Sequence, residues 1–280
     1  MSEPIPNCRI WVGTSGYSYP EWIEAGFYPA GTPASRMLSH YAATFPVTEL
    51  NFTWYQMPKA EGIERMRQST PADFLFTAKL TRTLTHEVDP KGWRDQAARY
   101  RDGVAPLVQA GRLAAVLVQL SPSFDRSKAN RLYLAELLNA LEGLPAAVEF
   151  RHLSWATERV FEYLSSRRVT LVTVDEPALP GLFPPLSVVT NPAFFYIRFH
   201  GKNAAGWRSG NMQKQFDYDY GEAELQEWID QRILPMASQA MTGIIMFNNH
   251  VRGQAPANAR TLIRLLNEAG LTVSGPTGTP

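Results

Sequence analysis

The chain has 280 residues, 45% of them hydrophobic, and its 27 basic side chains nearly match its 26 acidic ones. That is enough apolar material for a sizeable core, and the charge balance excludes the broad basic field of a protein that wraps long nucleic acid. The single cysteine, Cys8, excludes an internal disulfide framework, and no run approaches the roughly 20 apolar residues of a membrane helix.

Residues 1–8 read as an N-terminal tail without the apolar stretch of a signal peptide, so the expected compartment is the cytoplasm. Eight short apolar runs then follow in order: Arg9–Gly13, Val47–Asn51, Phe74–Leu80, Ala114–Leu120, Ala147–Arg151, Thr170–Asp175, Phe194–His200 and Gly243–Asn248. Helical stretches alternate with them. Lys128–Leu141 and Ala223–Ala240 carry clear apolar periodicity, with Pro235 expected to kink or end the second, and Pro256 is placed to open a last helix over Ala257–Ala269. The connection after the sixth run differs: Pro177, Pro180, Pro184, Pro185 and Pro192 predict an irregular crossover. Residues 271–280 read as a C-terminal tail. Strand and helix alternating eight times predict one α/β domain over residues 9–270, a single TIM-like (β/α)8 barrel.

Side chains alternate between the two faces of a strand, so each run has a helix-facing and an inward set. Placing Phe195, Ile197 and Phe199 under the helices turns Tyr196, Arg198 and His200 inward. The same reading turns Thr173 and Asp175, Glu149 and Arg151, Thr77 and Lys79, Gln119, and Glu49 and Asn51 inward. The opposite assignment would press charges into the apolar layer at several kcal/mol each. The polar members crowd the C-terminal strand ends, where barrels build their sites, and His86, His152, His200 and His250 lie at or just beyond those ends.

Several segments together resemble the family named domain of unknown function 72 (YecE-like). They are Gly13-Thr14-Ser15-Gly16-Tyr17-Ser18-Tyr19-Pro20-Glu21-Trp22, Glu49-Leu50-Asn51-Phe52-Thr53-Trp54-Tyr55 and Val118-Gln119-Leu120-Ser121-Pro122-Ser123-Phe124. Glu149-Phe150-Arg151-His152-Leu153-Ser154-Trp155, Tyr196-Ile197-Arg198-Phe199-His200-Gly201 and Phe247-Asn248-Asn249-His250 complete the set. The match runs along nearly the whole chain. Phe52, Trp54 and Leu153 depart from the usual family residues without removing a charge. The resemblance implies a TIM-like barrel and supplies no chemistry.

Lys79, Arg151 and Arg198, three inward cations, point to a small phosphorylated or carboxylated sugar-like ligand, handled by an enzyme or an enzyme-derived binder. Backbone N–H groups at Gly201-Lys202 and Arg252-Gly253 add a candidate phosphate contact. Glu149 and Asp175 are the candidate acid and base, with His200 and Lys79 as further catalytic groups. Thr14, Ser15, Tyr17, Trp22, Asn51, Tyr55, Gln119, Arg151, His152, Trp155, Arg198, Asn248 and Asn249 are the candidate ligand contacts. No cofactor and no metal is expected, because inward lysine and arginine repel a cation; a divalent site on Glu149, Asp175, His200 and His152 is the variant weighed against this. The alternative function is a nucleic-acid-binding barrel resembling abasic-site endonucleases, with Trp207, Arg208 and Lys214 on the backbone. A Walker lysine motif, a dinucleotide glycine fingerprint and the spacing of a nucleophile elbow are all absent.

Overall fold

The eight predicted runs form the staves of one closed parallel sheet. In the computed structural model, which describes residues 7–276, they are β1 (Arg9–Ser15), β2 (Val47–Leu50), β3 (Leu75–Lys79), β4 (Leu113–Gln119), β5 (Ala146–Glu149), β6 (Thr170–Asp175), β7 (Phe194–Phe199) and β8 (Thr242–Phe247). Each strand pairs with the next, and β8 pairs back onto β1 from Arg9–Thr242 to Thr14–Phe247, which closes the barrel. Residues 1–6 of the expected N-terminal tail lie outside the described residues; Cys8, assigned to that tail, is buried, and burial pushes its thiol up to about 11.

Helices Ala34–Ala42, Ala60–Gln68, Trp93–Gln109, Lys128–Ala140 and Glu158–Ser166 fill the first five connections. Lys128–Ala140 starts where Ser127 Oγ accepts the Asn130 N–H at 3.3 Å, satisfying one of the free donors of the first turn. No helix intervenes between β6 and β7. The predicted long helix after β7 is Glu222–Trp228, followed by a π segment at Ile229–Ile233 and a short turn at Leu234–Ala237. Pro235 explains the irregularity, since it has no N–H to continue the ladder. The last helix runs Gln254–Glu268, so it starts two residues before Pro256. Beyond it the chain does not leave the barrel at residue 271: Leu271 is buried, and Thr272–Val273 (β9) pairs with Arg9 and Ile10 of β1. Among the described residues no helix is long and apolar enough to cross a membrane.

Two apolar layers follow from strand alternation. Ile10, Val12, Phe76, Val118, Val148, Ile197 and Ile245 face the helices. Val47, Ala115, Leu117, Ala147, Val172, Val174, Tyr196, Ile244 and Met246 plug the lower barrel from within. The β6 assignment is a correction. Val172 and Val174 point inward, and Thr173 and Asp175 do not. In a parallel sheet laterally paired residues share a face, and Val172 and Val174 pair with Tyr196 and Arg198. Thr173 tolerates the outer face because its hydroxyl donates to the Leu186 carbonyl of the crossover at 2.7 Å.

Gly13 sits where β1 and β2 come closest: a Cβ there would lie 2.1 Å from the Val47 carbonyl oxygen. Backbone cannot yield as a side chain does. Gly13→Ala is expected to destabilise the fold by about 2 kcal/mol or more, read as a lower urea midpoint at unchanged slope.

Candidate active site

Above the apolar plug the barrel interior becomes ionic. Glu49 from β2, Glu149 from β5 and Arg198 from β7 are fully buried, and Arg151 and Glu176 nearly so. They form one chain of alternating charge. Arg198 grips Glu49 with two parallel bonds, Nη2 to Oε1 at 2.5 Å and Nε to Oε2 at 3.0 Å, and donates from Nη1 to Glu149 Oε2 at 2.7 Å. Arg151 donates from Nε to Glu149 Oε1 at 2.6 Å and from Nη1 to Glu176 Oε2 at 2.5 Å. Tyr196 donates its hydroxyl to Glu49 at 2.6 Å, and Ser15 Oγ lies 3.3 Å from Arg198 Nη2. Burial alone would raise the Glu149 carboxyl, but Arg151 and Arg198 outweigh it and hold it well below the usual carboxylate range.

His200 completes this floor. Its Nε2 faces Arg151 Nη2 at 2.9 Å and Arg198 Nη1 at 3.4 Å, and its Nδ1 faces the Asn248 amide at 3.0 Å. Arginine only donates, so Nε2 is the acceptor and the ring proton belongs on Nδ1; the Asn248 Nδ2 placed opposite must then exchange places with Oδ1, an amide flip that gives this proton its acceptor. Burial and the Arg151 charge lower the ring to about 3. His200 is therefore a neutral bracket with both nitrogens engaged, which removes the proton-shuttle role expected for it.

A cavity of about 820 Å³ opens above this floor. Lys79, Gln119, Arg151 and Asn248 face it from the strand ends, and Asn51, Tyr55 and His152 from the turns just beyond, all expected from sequence. Tyr19, Trp54, His86 and Phe216, not among the expected ligand contacts, also line it, as do Trp207 and Arg208, expected there only in the nucleic-acid alternative. Their signal was the aromatic and basic content of the strand-end loops. The irregular crossover supplies Pro180, Gly181 and Leu182 to the wall, held by the Leu153 N–H on the Gly181 carbonyl at 2.9 Å and the Phe183 N–H on the Arg151 carbonyl at 3.1 Å. Glu176 was also missed; it continues the inward phase of Val172 and Val174, which the sequence reading had turned outward.

Lys79 differs from the other inward cations. Among the described residues its ammonium has neither an ion pair nor a hydrogen bond, and it sits 5.2 Å from the Trp54 ring centroid. Burial, then the nearby Arg198, lower it to about 7, against the opposing pull of Glu49 and Glu149. Burial together with Lys79 and Arg151 also lowers His86 on the same wall to about 4. The Asn51 Oδ1 and Trp54 Nε1 atoms of this wall are buried without hydrogen-bond partners.

Several expected contacts lie elsewhere. Thr14 is out of phase with Ser15 and bonds the Tyr41 hydroxyl on the helix side at 2.9 Å. Asn249 is likewise out of phase with Asn248 and binds the Tyr218 carbonyl and Asn258. Trp22 is a core ring whose Nε1 donates to the His250 carbonyl, and Trp155 stacks on Phe150 and Phe124 while donating to the Phe124 carbonyl. Tyr17 packs near Tyr41, and its carbonyl accepts the Tyr28 hydroxyl. Asp175 lines a separate cavity of about 560 Å³ between the crossover and the helix after β7, with Lys202 3.7 Å away. It therefore does not pair with Glu149 as acid and base. The expected phosphate contacts are also occupied: the Gly201 N–H donates to the Tyr220 hydroxyl at 2.8 Å, and the Gly253 N–H to the His250 carbonyl at 3.4 Å. Among the described residues no three His, Cys, Asp or Glu side chains converge as a metal site requires.

Removing Arg198 leaves Glu49 and Glu149 buried with too few partners. Arg198→Met is expected to cost about 3–5 kcal/mol in chemical unfolding, and the double variant Arg198→Met/Glu49→Gln to recover part of that loss. Full additivity of the two substitutions would show that the pair does not act as a unit.

The family model described as "Protein of unknown function DUF72" matches residues 11–280. The UPF0759 protein YunF of Bacillus subtilis (strain 168) is 26% identical over 272 residues, 92% of this chain and 95% of that protein. The UPF0759 protein YecE of Escherichia coli (strain K12) is 29% identical over 147 residues, about half of either chain. Among solved structures, a DUF72 family protein of Thermotoga maritima MSB8 is 34% identical with a TM-score of 0.83, over 92% of this chain and 99% of that one. Another, from Enterococcus faecalis V583, is 27% identical with a TM-score of 0.84, over 97% and 99%. With its ionic floor, its closed eight-strand barrel and a match along almost its whole length, this chain belongs to the DUF72 family.

Proposed function

We propose that the mouth cavity is the active site of an enzyme acting on a small anionic, sugar-like ligand, with Lys79 as its cationic contact and acid/base group. The observation that carries this reading is the unpartnered Lys79 ammonium facing an aromatic-walled cavity. The three-cation clamp expected from sequence reduces to one free cation, because Glu49, Glu149 and Glu176 already neutralise Arg151 and Arg198. A ligand carboxylate or phosphate would supply the missing counter-charge. Trp54, Tyr55 and Trp207 line the cavity with rings on which a sugar would stack. A group near 7 suits proton transfer at neutral pH.

Titration calorimetry with glucose 6-phosphate, glucuronate and sulfate tests this directly. Lys79→Met should weaken binding about tenfold or more, the order expected for one charge-assisted contact. For sulfate, which keeps its charge throughout, affinity should fall as the pH rises through about 7, because the ammonium is then lost. The groups electrostatically felt by Lys79 are Glu49, Glu149, Arg151 and Arg198, with His86 beside it; Glu149 and His86 are shifted out of that window, whereas Glu176, raised by burial to about 7, ionises within it, so the Lys79 share of the fall is the part that Lys79→Met removes. Tight binding unaffected by either change would overturn the reading. Single-stranded DNA is the competing occupant, through Arg208 on the wall and the exposed Lys214 of the same loop. Binding of DNA that falls steeply with salt and is lost in Arg208→Ala/Lys214→Ala would favour it instead.

A further inference from the structure

We propose that Lys79 is a covalent group: its amine forms an imine with a carbonyl substrate, so the site takes aldehydes or ketones that also carry an acidic group. This deepens the preceding reading and rests on the mouth cavity being the ligand site.

Geometry is the first support. The chain has six lysines, and the other five, Lys59, Lys91, Lys128, Lys202 and Lys214, are exposed. Lys79 alone is half-buried, the last residue of β3, and faces a cavity large enough for a small substrate. A lysine that served only to balance charge would be expected to touch a carboxylate. Glu49 and Glu149 instead give their oxygens to Arg198, Arg151 and Tyr196, and none is recorded on the lysine. Once its proton is gone, the Lys79 nitrogen on the cavity wall has no hydrogen-bond donor among the described residues to engage its lone pair.

Electrostatics is the second. Nucleophilic attack needs the neutral amine, and a group near 7 is about half neutral at pH 7, roughly a thousandfold more than an ordinary lysine. The product is stabilised where the reactant ammonium is strained. The amine attacks the carbonyl carbon, a C–N bond forms, and the carbonyl oxygen takes up the proton released by nitrogen. The resulting carbinolamine takes from solvent, at that oxygen, the proton the ammonium had given up and loses the oxygen as water, leaving an iminium that keeps one positive charge on nitrogen. That charge replaces the ammonium before Glu49 and Glu149, the two carboxylates that favour a cation at this position. Unlike an ammonium, the iminium carries little N–H hydration to surrender on burial. It also draws electrons from the adjacent carbon, so proton removal or C–C cleavage there becomes accessible. His86, neutral and edge-on to Trp54 at 5.1 Å on the same wall, is the imidazole available to accept the proton removed from that carbon.

The wild-type protein decides the matter without a variant. It would be incubated at pH 7 with pyruvate or dihydroxyacetone phosphate and sodium cyanoborohydride, digested, and mapped by mass spectrometry. The expected result is one reduced adduct per chain, with the Lys79 peptide labelled about tenfold or more above any exposed-lysine peptide. Lys79→Arg, folded by circular dichroism, should remove that adduct and leave the background. Label absent from Lys79, or spread evenly over the six lysines, overturns the proposal. A thermal-shift series with sorbitol 6-phosphate, which has no carbonyl, separates the two readings. A raised Tm without an adduct from either carbonyl probe sinks the imine and keeps the anion site, whereas neither shift nor label sinks both.

Discussion

Everything at the mouth of this barrel depends on the ionic chain Glu49–Arg198–Glu149–Arg151–Glu176. Taking five charged groups out of water costs several kcal/mol each, and only near-complete mutual pairing offsets it. The barrel meets this condition by drawing the partners from three strands and the start of the crossover. Arg198 spends its donors on Glu49 and Glu149, and Arg151 spends its own on Glu149, Glu176 and His200. The usual branched apolar layers of such a barrel are present below, so the ionic layer is an addition at the functional end rather than a substitute for the core.

That layer sets the chemistry of its neighbours. Its arginines hold Glu149 ionised, keep His200 neutral and help push Lys79 towards neutrality. Two histidines and a lysine near these guanidinium groups therefore lose the protonation their sequence identity suggests. His200, which looks like a proton carrier on paper, is a hydrogen-bonded bracket. Lys79, which looks like one of three anion contacts, is the cation left without a partner. The proline-rich crossover contributes in a different way. Having no helix of its own, it folds inward over the strand ends and lends backbone to the cavity wall, which an outer helix would not do.

Much of the inner face was legible in the chain. Glu49, Thr77, Gln119, Glu149, Tyr196 and Arg198 follow from strand alternation because their apolar neighbours leave only one economical orientation. Thr173 and Asp175 were misread because β6 alternates Val172, Thr173, Val174, Asp175, and in a strand buried on both faces either set can turn inward. Only the lateral pairing of Val172 with Tyr196 decides between them. Thr14 and Asn249 failed for a related reason, each being one residue out of phase with a true inward neighbour, Ser15 and Asn248. Trp22 and Trp155 were read as ligand contacts from their position beyond strand ends, yet large rings in such loops also build the small core beneath them.

The sequence by itself determined the number and order of strands, the irregular crossover and the family, because these depend on local periodicity, proline chemistry and motif order. It also determined that a set of charges must be internal, since no other face of the strands accommodates them. Tertiary structure alone decided which charge neutralises which, and therefore which one is left over. Pairing depends on distances of a few ångströms between residues up to 149 positions apart, as in Arg198 and Glu49, and no pattern along the chain encodes that geometry. The freedom of Lys79, on which the functional reading turns, is a remainder after all those pairings are made.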